Sequence, residues 1–502
     1  MEGETTLKGI KINFETIKCL GIYMGHNKTE NNERNWLCKL KEFEKILDSW
    51  RSRKLTIFGK CQLINSLLIS KVLYTATILE NPEQSFIKSI NKIIFSFLWG
   101  NRERIKRNTL IRNINEGGIG ITDFESKLKA IKASWVSKII QNRSSLSLLL
   151  NACVVKHNID IPFLINSSIT KYEEFKLNSL PVFYKEVLVA FNECKDISLT
   201  NFANQNIWFN KNICFKGKSI FFSSWTKGGL LLVKDLFNEN GFKTINDIKE
   251  CLASTSNFLC EYFIVKNAIK LHLSRIDLQT INFTNSLTKS HFYFEGKLED
   301  TSNKKSKFFY NILINKKSQK PIMENIWCKE FQIDKYYFNI IYENKIRSLF
   351  DKSVSEFNYK LLHNLLTTNL SVSKWDKNIN GNCNNCNTPE NIKHLIYECD
   401  LTMPLWRKIS LILNIDVTWK LIVIGFIFTS NKYTLILDNT LSFIACKIYK
   451  YKMKRRILNE HVSSEDMRCF LKNALMQLYL TVKKSKCVKL NFSILEKISN
   501  SI

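Results

Sequence analysis

Four residues with metal-binding side chains lie within one short stretch of the chain. They are Cys383, Cys386, His394 and Cys399, in the pattern Cys-x2-Cys-x7-His-x4-Cys. Zn²⁺ prefers four soft or borderline ligands in a tetrahedron, and a Cys-x-x-Cys turn presents two thiolates to one ion. The residue types and their spacing therefore predict a zinc site with three thiolate ligands and one imidazole ligand.

Two other interpretations of this cluster stay open at the level of sequence. Cysteine often packs as a small apolar residue and histidine is often a hydrogen-bonded core residue, so the cluster could belong to a hydrophobic core. A cysteine and a histidine can also form a nucleophile and its base. Four protein ligands around one ion leave no open position for a substrate, which argues against catalysis at this site.

A short helix is expected to position His394. Thr388, Pro389 and Glu390 have the residue types of an N-cap, a first helical residue and a favourable acid in the first turn. Five residues of an ideal α-helix rotate by about 500°, which leaves Cys399 about 140° away from His394. Both side chains cannot face one ion from such a helix, so we expect Cys399 at or beyond the helix end.

Three segments of the chain are rich in lysine and arginine. These side chains neutralise phosphates along a nucleic-acid backbone, and aromatic residues between them can stack on bases. The candidate phosphate contacts are Arg51, Arg53, Lys54, Lys60, Arg102, Arg104, Lys106, Arg107, Lys447, Lys450, Lys454, Arg455 and Arg456.

The third basic segment has the most regular pattern. Lys447, Lys450 and Lys454 fall on one helical stripe. The apolar residues Ile444, Ile448 and Tyr451 fall on another stripe of the same helix. A solvated basic face of an ordinary amphipathic helix is the alternative for this segment and for the other two. The run 452–456 also has the composition of a nuclear localisation patch.

The overall charge favours a polyanionic partner. Lys and Arg number 74 against 45 Asp and Glu, which gives a formal net charge of +29. A membrane surface is the rival polyanion, but the apolar runs, such as 421–428, are far shorter than the roughly 18 to 20 residues that a span needs. The 15 cysteines are odd in number and mostly scattered, which favours a reducing compartment, nucleus or cytoplasm, over secretion.

The chain is predicted to be mainly α-helical. It contains only 6 Pro and 16 Gly, and apolar residues recur every three to four positions over long stretches. Helices are expected over 33–50, from about 56 to 79, from Pro82 to Trp99, and from about 125 to 140. The lysine-rich run 302–320 is expected to be an exposed connection between two bodies.

Two motifs of nucleotide chemistry are not found in the sequence. Gly117-Gly118-Ile119-Gly120 lacks the Gly-Lys-Ser/Thr ending of a phosphate-binding loop, so we interpret it as a tight turn. No two aspartates are adjacent, so the chain has no Asp-Asp turn that could hold paired metal ions for nucleotidyl transfer, although aspartates distant in sequence could converge.

Several segments, in this order, resemble LINE-type non-LTR retrotransposon reverse transcriptases in the part beyond the catalytic palm. Cys19-Leu20-Gly21-Ile22-Tyr23 is similar to the strand that follows the palm. Trp50-x2-Arg53-x-Leu55-x3-Gly59-Lys60 is similar to the start of a helix in the family. Phe97-Leu98-Trp99 followed by Gly117-Gly118-Ile119-Gly120-Ile121 matches a further pair of motifs.

The resemblance continues through the connecting region to the cysteine cluster. Leu180-Pro181-Val182-Phe183-Tyr184, Trp225 and Gly228-Gly229 resemble the connection, and the cluster 383–399 resembles the zinc-binding module of the same group. The resemblance implies a thumb-like helical domain over 1–145, a mixed α/β connecting domain over 146–345, a zinc-binding module over 346–410 and a basic helical region over 411–502.

The same resemblance implies a nucleic-acid-binding role. In the family the thumb-like helices hold the template–primer duplex, and the zinc region is linked to the element's RNA or target DNA. The expected function is therefore binding of RNA or an RNA–DNA hybrid, with target DNA as a further partner. The palm and its catalytic aspartates are expected to be absent, so polymerase activity is not expected. The alternatives are a subunit that completes a reverse transcriptase with a separate palm-containing chain, and a structural interaction protein.

Overall fold

The structure is a computed structural model, and it confirms a mainly α fold. It describes residues 6–7, 10–11, 16–100, 102–141, 145–171, 175–196, 202–238, 241–252, 257–270, 272, 290–347, 349–427, 432–458, 460, 462–484 and 493–502. Of the described residues, 63% are helical and 6% lie in strands, and the strands form small antiparallel sheets.

The first third of the chain contains the helices that the sequence predicts and, in addition, short helical segments over Lys28–Asn32, Arg107–Leu110 and Ile114–Glu116. Asn27, Thr56 and Asp123 each cap a helix by accepting a hydrogen bond from a backbone N–H of the first turn. The helical segments are Lys28–Asn32, Glu33–Leu37, Cys38–Arg51, Ile57–Leu63, Ile64–Ile69, Ser70–Ile78, Gln84–Trp99, Arg107–Leu110, Ile114–Glu116, Phe124–Ala133 and Trp135–Ile140. Two of these segments, Glu33–Leu37 and Ile64–Ile69, are π-helical turns inside longer helices.

Two hairpins precede these helices. They pair Thr6–Leu7 with Ile10–Lys11, and Ile17–Cys19 with Ile22–Met24. The resemblance implied one strand through Cys19–Tyr23, and that expectation is wrong. Leu20 and Gly21 have φ angles of 48° and 84°, and Cys19 pairs with Ile22, so the two residues form a tight hairpin turn.

The middle of the chain mixes helices with short hairpins, as expected for 146–345. The hairpins pair Cys214–Phe215 with Lys218–Ser219, Phe237–Asn238 with Gly241–Phe242, and His291–Phe294 with Lys297–Asp300. The helical segments are Ser145–Val154, Val155–His157, Ile161–Ile165, Val182–Cys194, Phe202–Asn204, Ser223–Lys227, Val233–Leu236, Ile245–Cys251, Phe258–Lys270, Ser306–Lys317, Ile322–Phe331, Lys335–Tyr337 and Phe338–Ile346.

The lysine-rich run 302–320 is not the exposed connection that the sequence predicted. It contains the helix Ser306–Lys317, whose residues Phe309, Ile312 and Leu313 are buried in the core. These apolar residues recur at a spacing of one helical turn, and the lysines occupy the remaining positions. The prediction failed because the charge of the run was weighted above this apolar spacing.

Among the described residues of the last third of the chain, every named regular element is a helix. The helical segments are Lys352–Leu362, Asn369–Val372, His394–Glu398, Met403–Leu413, Trp419–Ile424, Lys432–Ile457, Ser464–Lys484 and Ser493–Ser501. Lys432–Ile457 is the longest of them, and Ile444 and Ile448 on it are fully buried.

The chain forms two compact units, each assembled from separated stretches of sequence. The first contains 1–49, 65–94 and 122–317, and the second contains 50–64, 95–121 and 318–502. The four consecutive regions implied by the resemblance stay a prediction about functional modules, since the two units describe packing only.

The glycine-rich segment of the second unit is a turn, as predicted. Gly117 has a φ of 81°, and a Cβ there would lie 2.5 Å from the Pro321 ring and within 3 Å of Tyr342. The carbonyl oxygen of Gly117 accepts a hydrogen bond from His363 Nε2 at 2.9 Å. Only glycine combines this backbone conformation with such close packing.

One described helix, over 57–78, is long and apolar enough to cross a membrane by length and composition alone. The sequence had predicted no apolar segment of the length that a membrane span needs. In its most apolar window 44% of the residues are buried inside the fold, including Ile64, Leu68 and Val72. A helix in a protein core can have the same length and apolar composition. The burial of these side chains is what a core helix requires.

Candidate metal centre

The first two cysteines of the cluster lie on a tight loop closed by backbone hydrogen bonds. The N–H of Cys383 donates to the carbonyl of Thr388 at 2.8 Å, and the N–H of Asn387 donates back to Cys383 at 2.9 Å. Asn387 adopts a left-handed conformation with a φ of 51°, and Asn382 pairs with Pro389 across the base of the loop. The loop thereby holds the thiols of Cys383 and Cys386 on the same side.

The helix that carries His394 starts later than the sequence predicted. Pro389 is part of the loop pairing, and Asn391 is the capping residue, since its Oδ1 accepts the N–H of His394 at 2.7 Å. The prediction of a start at Thr388 is wrong because the backbone carbonyl of that residue closes the cysteine loop.

A π-helical turn brings the last two ligands to the same side. The N–H of Cys399 donates to the carbonyl of His394 at 2.9 Å, which is an i→i+5 hydrogen bond. A turn with one more residue than an α-turn reduces the angular separation that an ideal α-helix would impose on these positions. Cys399 itself is extended, with a φ of −61° and a ψ of 140°, so its expected place beyond the helix end is confirmed.

The four predicted ligands converge on one point. One ligand atom from each of Cys383, Cys386, His394 and Cys399 can be chosen so that all four lie within 4.8 Å of one another. The sulfur of Cys399 lies 3.5 Å from that of Cys386 and 3.9 Å from that of Cys383. Two sulfurs bound to one tetrahedral zinc ion at about 2.3 Å are separated by about 3.8 Å. The group is therefore able to bind a metal ion with little rearrangement.

The imidazole of His394 also fits a metal ligand. Its Nδ1 lies 3.3 Å from the hydroxyl of Thr388, whereas its Nε2 is buried and has no hydrogen-bond partner. A buried ring nitrogen without a partner costs free energy, and coordination of a metal ion removes that cost. The hydroxyl of Thr388 would orient the ring while Nε2 binds the ion.

The three thiols differ in acidity. A hydrogen bond from the Cys383 thiol lowers the pKa of Cys399 to about 7, against the effect of burial and with help from the ammonium group of Lys452. The same hydrogen bond, together with burial, raises the pKa of Cys383 to about 12. Burial also raises the pKa of Cys386. Cys399 is thus the readiest thiolate, and a metal ion would have to displace the protons of the other two.

Side chains distant in sequence support the cysteine loop. The ammonium group of Lys452 on the long helix Lys432–Ile457 is buried and donates to the carbonyl of Leu395 at 2.9 Å. Arg456, one turn further along, forms an ion pair with the buried carboxylate of Glu390. The same carboxylate accepts the backbone N–H of Asn369 at 2.9 Å.

The roles of Lys452, Glu390 and Asn369 at this site were not predicted from the sequence. Lys452 was considered only as part of a localisation patch, but it is buried and its ammonium group binds the helix that carries His394. The partners of these residues lie 13 to 66 positions away along the chain, so no local pattern indicates them.

The first basic segment divides into exposed and structural residues. Arg51, Arg53 and Lys54 are exposed, and the Arg53 guanidinium lies 4.1 Å from the centre of the Trp50 ring. Lys60 instead donates to the carbonyls of Phe97 and Leu98 at 3.0 and 3.3 Å, at the end of the helix Gln84–Trp99. Burial lowers the pKa of Lys60. Lys60 therefore stabilises a helix end.

The second basic segment is exposed throughout its charged positions. Arg102, Arg104, Lys106 and Arg107 all face solvent. Arg107 forms an ion pair with Glu103 and lies 4.3 Å from the centre of the Phe95 ring. The other three have no ion-pair partner among the described residues.

The third basic segment follows the predicted helical stripes. Ile444, Ile448 and Tyr451 are buried, which confirms the apolar stripe. On the basic stripe Lys450 and Lys454 are exposed, and Lys450 donates to the hydroxyl of Ser353 at 2.8 Å.

The ends of this segment make further contacts. Lys447 is half-buried over the Phe443 ring at 5.0 Å, and Arg455 forms an ion pair with Glu460. With Arg456 paired to Glu390, both arginines of this segment are bound within the protein.

The predicted sites belong to one unit. All four candidate metal ligands and all 13 candidate phosphate contacts lie in the second unit, although its stretches of sequence are separated by long segments of the first. The search of family models finds none that matches the chain.

Proposed function

We propose that the chain binds RNA or an RNA–DNA hybrid through its second unit, and that a zinc ion bound by Cys383, Cys386, His394 and Cys399 stabilises that unit. The proposal includes the origin suggested by the motif resemblance, a LINE-type reverse transcriptase without its catalytic palm. Target DNA is a further nucleic acid that the second unit would bind.

The observation that carries this proposal is the gathering of the basic segments into the unit that contains the metal centre. These segments are far apart in sequence, and the first unit contributes none of them. Arg53, Lys54, Arg102 and Arg104 are exposed and form no ion pair among the residues that the structure describes, and Arg51 is exposed as well.

Zinc is favoured over other ions by the donor set. Three thiolates and an imidazole select zinc in a four-coordinate structural site, and the ligands close its coordination shell. Such an ion stabilises the local fold and offers no open position, so the centre would have a structural role and not a catalytic one.

Binding should depend steeply on salt if phosphates are the main contacts. Each neutralised phosphate releases counterions, so log K is expected to fall by about 0.7 to 0.9 per contact for each tenfold rise in salt. A titration of labelled single-stranded RNA and of an RNA–DNA hybrid between about 50 and 200 mM salt measures this slope. Absence of binding throughout that range would reject the proposal.

A matched pair of charge variants locates the binding surface. Replacing Arg102, Arg104, Lys106 and Arg107 with alanine should weaken binding to all sequences alike and reduce the salt slope, because phosphate contacts do not read bases. The control replaces Lys41, Lys45, Lys216 and Lys218, four exposed lysines of the first unit. Equal losses in both variants would show that binding follows net charge and not this surface.

The relation to a palm-containing chain is tested separately. Translation of the genomic sequence on either side would show whether a palm is encoded next to this chain. Co-purification with a palm-containing protein would favour the alternative in which this chain completes a reverse transcriptase.

A further inference from the structure

Trp375 differs from the buried tryptophans of the chain in its exposure. Its side chain is 65% exposed, whereas Trp208, Trp225 and Trp406 are almost fully buried. Tryptophan usually buries most of its large apolar surface. The indole of Trp375 has no stacking or cation–π contact with any described residue, so its faces are open to a ligand.

Two exposed lysines accompany this ring. Lys374 precedes Trp375 and Lys377 follows it by two positions, and both side chains face solvent. The intervening Asp376 is half-buried, and its Oδ1 accepts the backbone N–H of Asn378 at 3.1 Å. The segment therefore presents an open aromatic ring together with two cations, while its one acid is used in the turn.

The backbone under Trp375 is held by hydrogen bonds. The short helix Asn369–Val372 is capped by Thr368, whose Oγ1 accepts the N–H of Ser371 at 3.1 Å. The N–H groups of Trp375 and Asp376 both donate to the carbonyl of Val372, at 3.0 and 2.9 Å. An ordered turn reduces the conformational entropy that binding would otherwise cost.

The same turn is attached to the metal centre. Asn369 donates through Nδ2 to the carbonyl of Asn382, next to Cys383, at 2.8 Å. The N–H of Leu370 donates to the carbonyl of Glu390 at 3.3 Å. The cysteine loop thus positions the short helix that leads directly into the turn carrying Trp375.

We propose that Trp375 stacks on a base of a single-stranded nucleic acid, and that Lys374 and Lys377 contact the phosphates beside that base. This inference rests on the proposed nucleic-acid binding and adds to it the strandedness of the ligand. Stacking on an exposed ring requires an unpaired base, because the faces of paired bases are covered by their neighbours in a duplex. Every base has such a face, so the contact would be tolerant of sequence.

The test compares single-stranded and duplex ligands on the full chain. Fluorescence anisotropy would measure binding of a labelled 12-nucleotide RNA and of a labelled RNA–DNA duplex of the same length. Trp375→Ala should weaken binding of the single strand by about 5- to 150-fold, the range reported for loss of one base–aromatic stack. Duplex binding should change less than about twofold, and Trp375→Phe should retain most of the single-strand affinity.

Tyr336 provides a matched control. It lies in the same unit, follows a lysine and is 77% exposed, so Tyr336→Ala removes an exposed aromatic ring elsewhere. We expect single-strand binding by this variant within about twofold of the unmodified protein. Lys374→Ala and Lys377→Ala should each lower the salt slope by about 0.7.

The outcomes separate this inference from the proposed function. If the unmodified protein binds both ligands and Trp375→Ala binds the single strand equally well, the stacking inference is rejected and the proposed function stands. Equal losses for single strand and duplex, or equal losses for Trp375→Ala and Tyr336→Ala, also reject it. If the unmodified protein binds neither ligand, the proposed function fails and the inference fails with it.

Discussion

The side chains of the metal centre are held to different degrees by the protein around them. Cys399 is fully buried, Cys383 is nearly so, and Cys386 is half-buried. His394 has one ring nitrogen beside the Thr388 hydroxyl and a second that is buried without a partner. A tetrahedrally coordinated ion would bind that nitrogen and the three sulfurs together. Binding of an ion would explain why these four polar atoms lie close to one another in a buried space.

The assignment of the ligands is tested by metal content. Cys399→Ser should reduce bound zinc from about one per chain towards none, because serine oxygen is a poor ligand for a site built from thiolates. Cys469→Ser is the control, since Cys469 is an exposed cysteine outside the cluster. Metal analysis of protein purified without chelators measures both. Equal losses in the two variants, or no zinc in the unmodified protein, would contradict the assignment.

His363 should make stability depend on pH. Burial lowers the pKa of this imidazole to about 4, although its hydrogen bond to the Gly117 carbonyl opposes the effect. Between the unfolded pKa of about 6.5 and the folded value, the unfolded chain binds the proton and the folded chain does not. The free energy of unfolding should therefore fall as pH falls through this window, by about 3 kcal/mol in total from this residue.

The matched variant for this measurement is His363→Gln, which retains an N–H donor and removes the titration. Denaturant unfolding at several pH values between about 4 and 7 would measure the difference between the two proteins. Acid also protonates the thiolates of the metal centre in both proteins. This effect cancels when the free energies of unfolding of the two proteins are subtracted. A constant difference across the window would contradict the predicted titration.

At the scale of elements, the cysteine loop is joined to two helices by buried polar contacts. Lys452 and Arg456 on Lys432–Ile457 bind the carbonyl of Leu395 and the carboxylate of Glu390. Through Asn369, the helix Asn369–Val372 binds the same carboxylate and the carbonyl of Asn382. The loop has few apolar residues of its own, so the ion and these contacts are expected to supply its stability.

Removal of the metal should therefore have a local effect. Chelation is expected to increase hydrogen exchange mainly over residues 376–405, while the helix Gln84–Trp99 stays protected, because that helix is packed into an apolar core. Exchange measured by mass spectrometry with and without chelator tests this. Loss of protection throughout the chain would show that the ion stabilises the whole fold, and no change anywhere would show that it stabilises none of it.

At the scale of the whole molecule, the candidate phosphate contacts and the candidate metal ligands all lie in one of two units. The net charge of +29 is large, and the candidate phosphate contacts come from three stretches of sequence that fold into the second unit. The helix over 57–78 includes Ile64 and Leu68 among its buried residues. Its apolar side chains pack in the core of the protein.

If the chain lacks the catalytic palm, as proposed, it should have no template-dependent polymerase activity of its own. No Asp-Asp pair occurs in the sequence, and the four candidate metal ligands include no carboxylate. Purified protein given primer–template, nucleotides and Mg²⁺ or Mn²⁺ should extend no primer. Template-dependent extension that is lost on replacing an aspartate of this chain would overturn this expectation.

The sequence by itself determined the features that depend on neighbouring residues. Apolar spacing and capping residues predicted helices over 33–50, from about 56 to 79 and from Pro82 to Trp99, because helix formation is decided largely within a few turns. The structure has these helices over 28–51, 57–78 and 84–99. The identity of the four metal ligands followed from residue type and spacing, since a compact four-ligand site needs its donors close in the chain. The position of Cys399 beyond a helix end followed from helical geometry.

The tertiary structure decided what depends on the path of the chain. It placed the ammonium group of Lys452 against the helix that carries His394, paired Arg456 with Glu390, and formed a core helix over 306–317 within the lysine-rich run 302–320. It also inserted a π-turn between His394 and Cys399. A lysine has the same local pattern whether its ammonium group reaches solvent, a carbonyl or a carboxylate, and only the fold determines which of these partners is within reach.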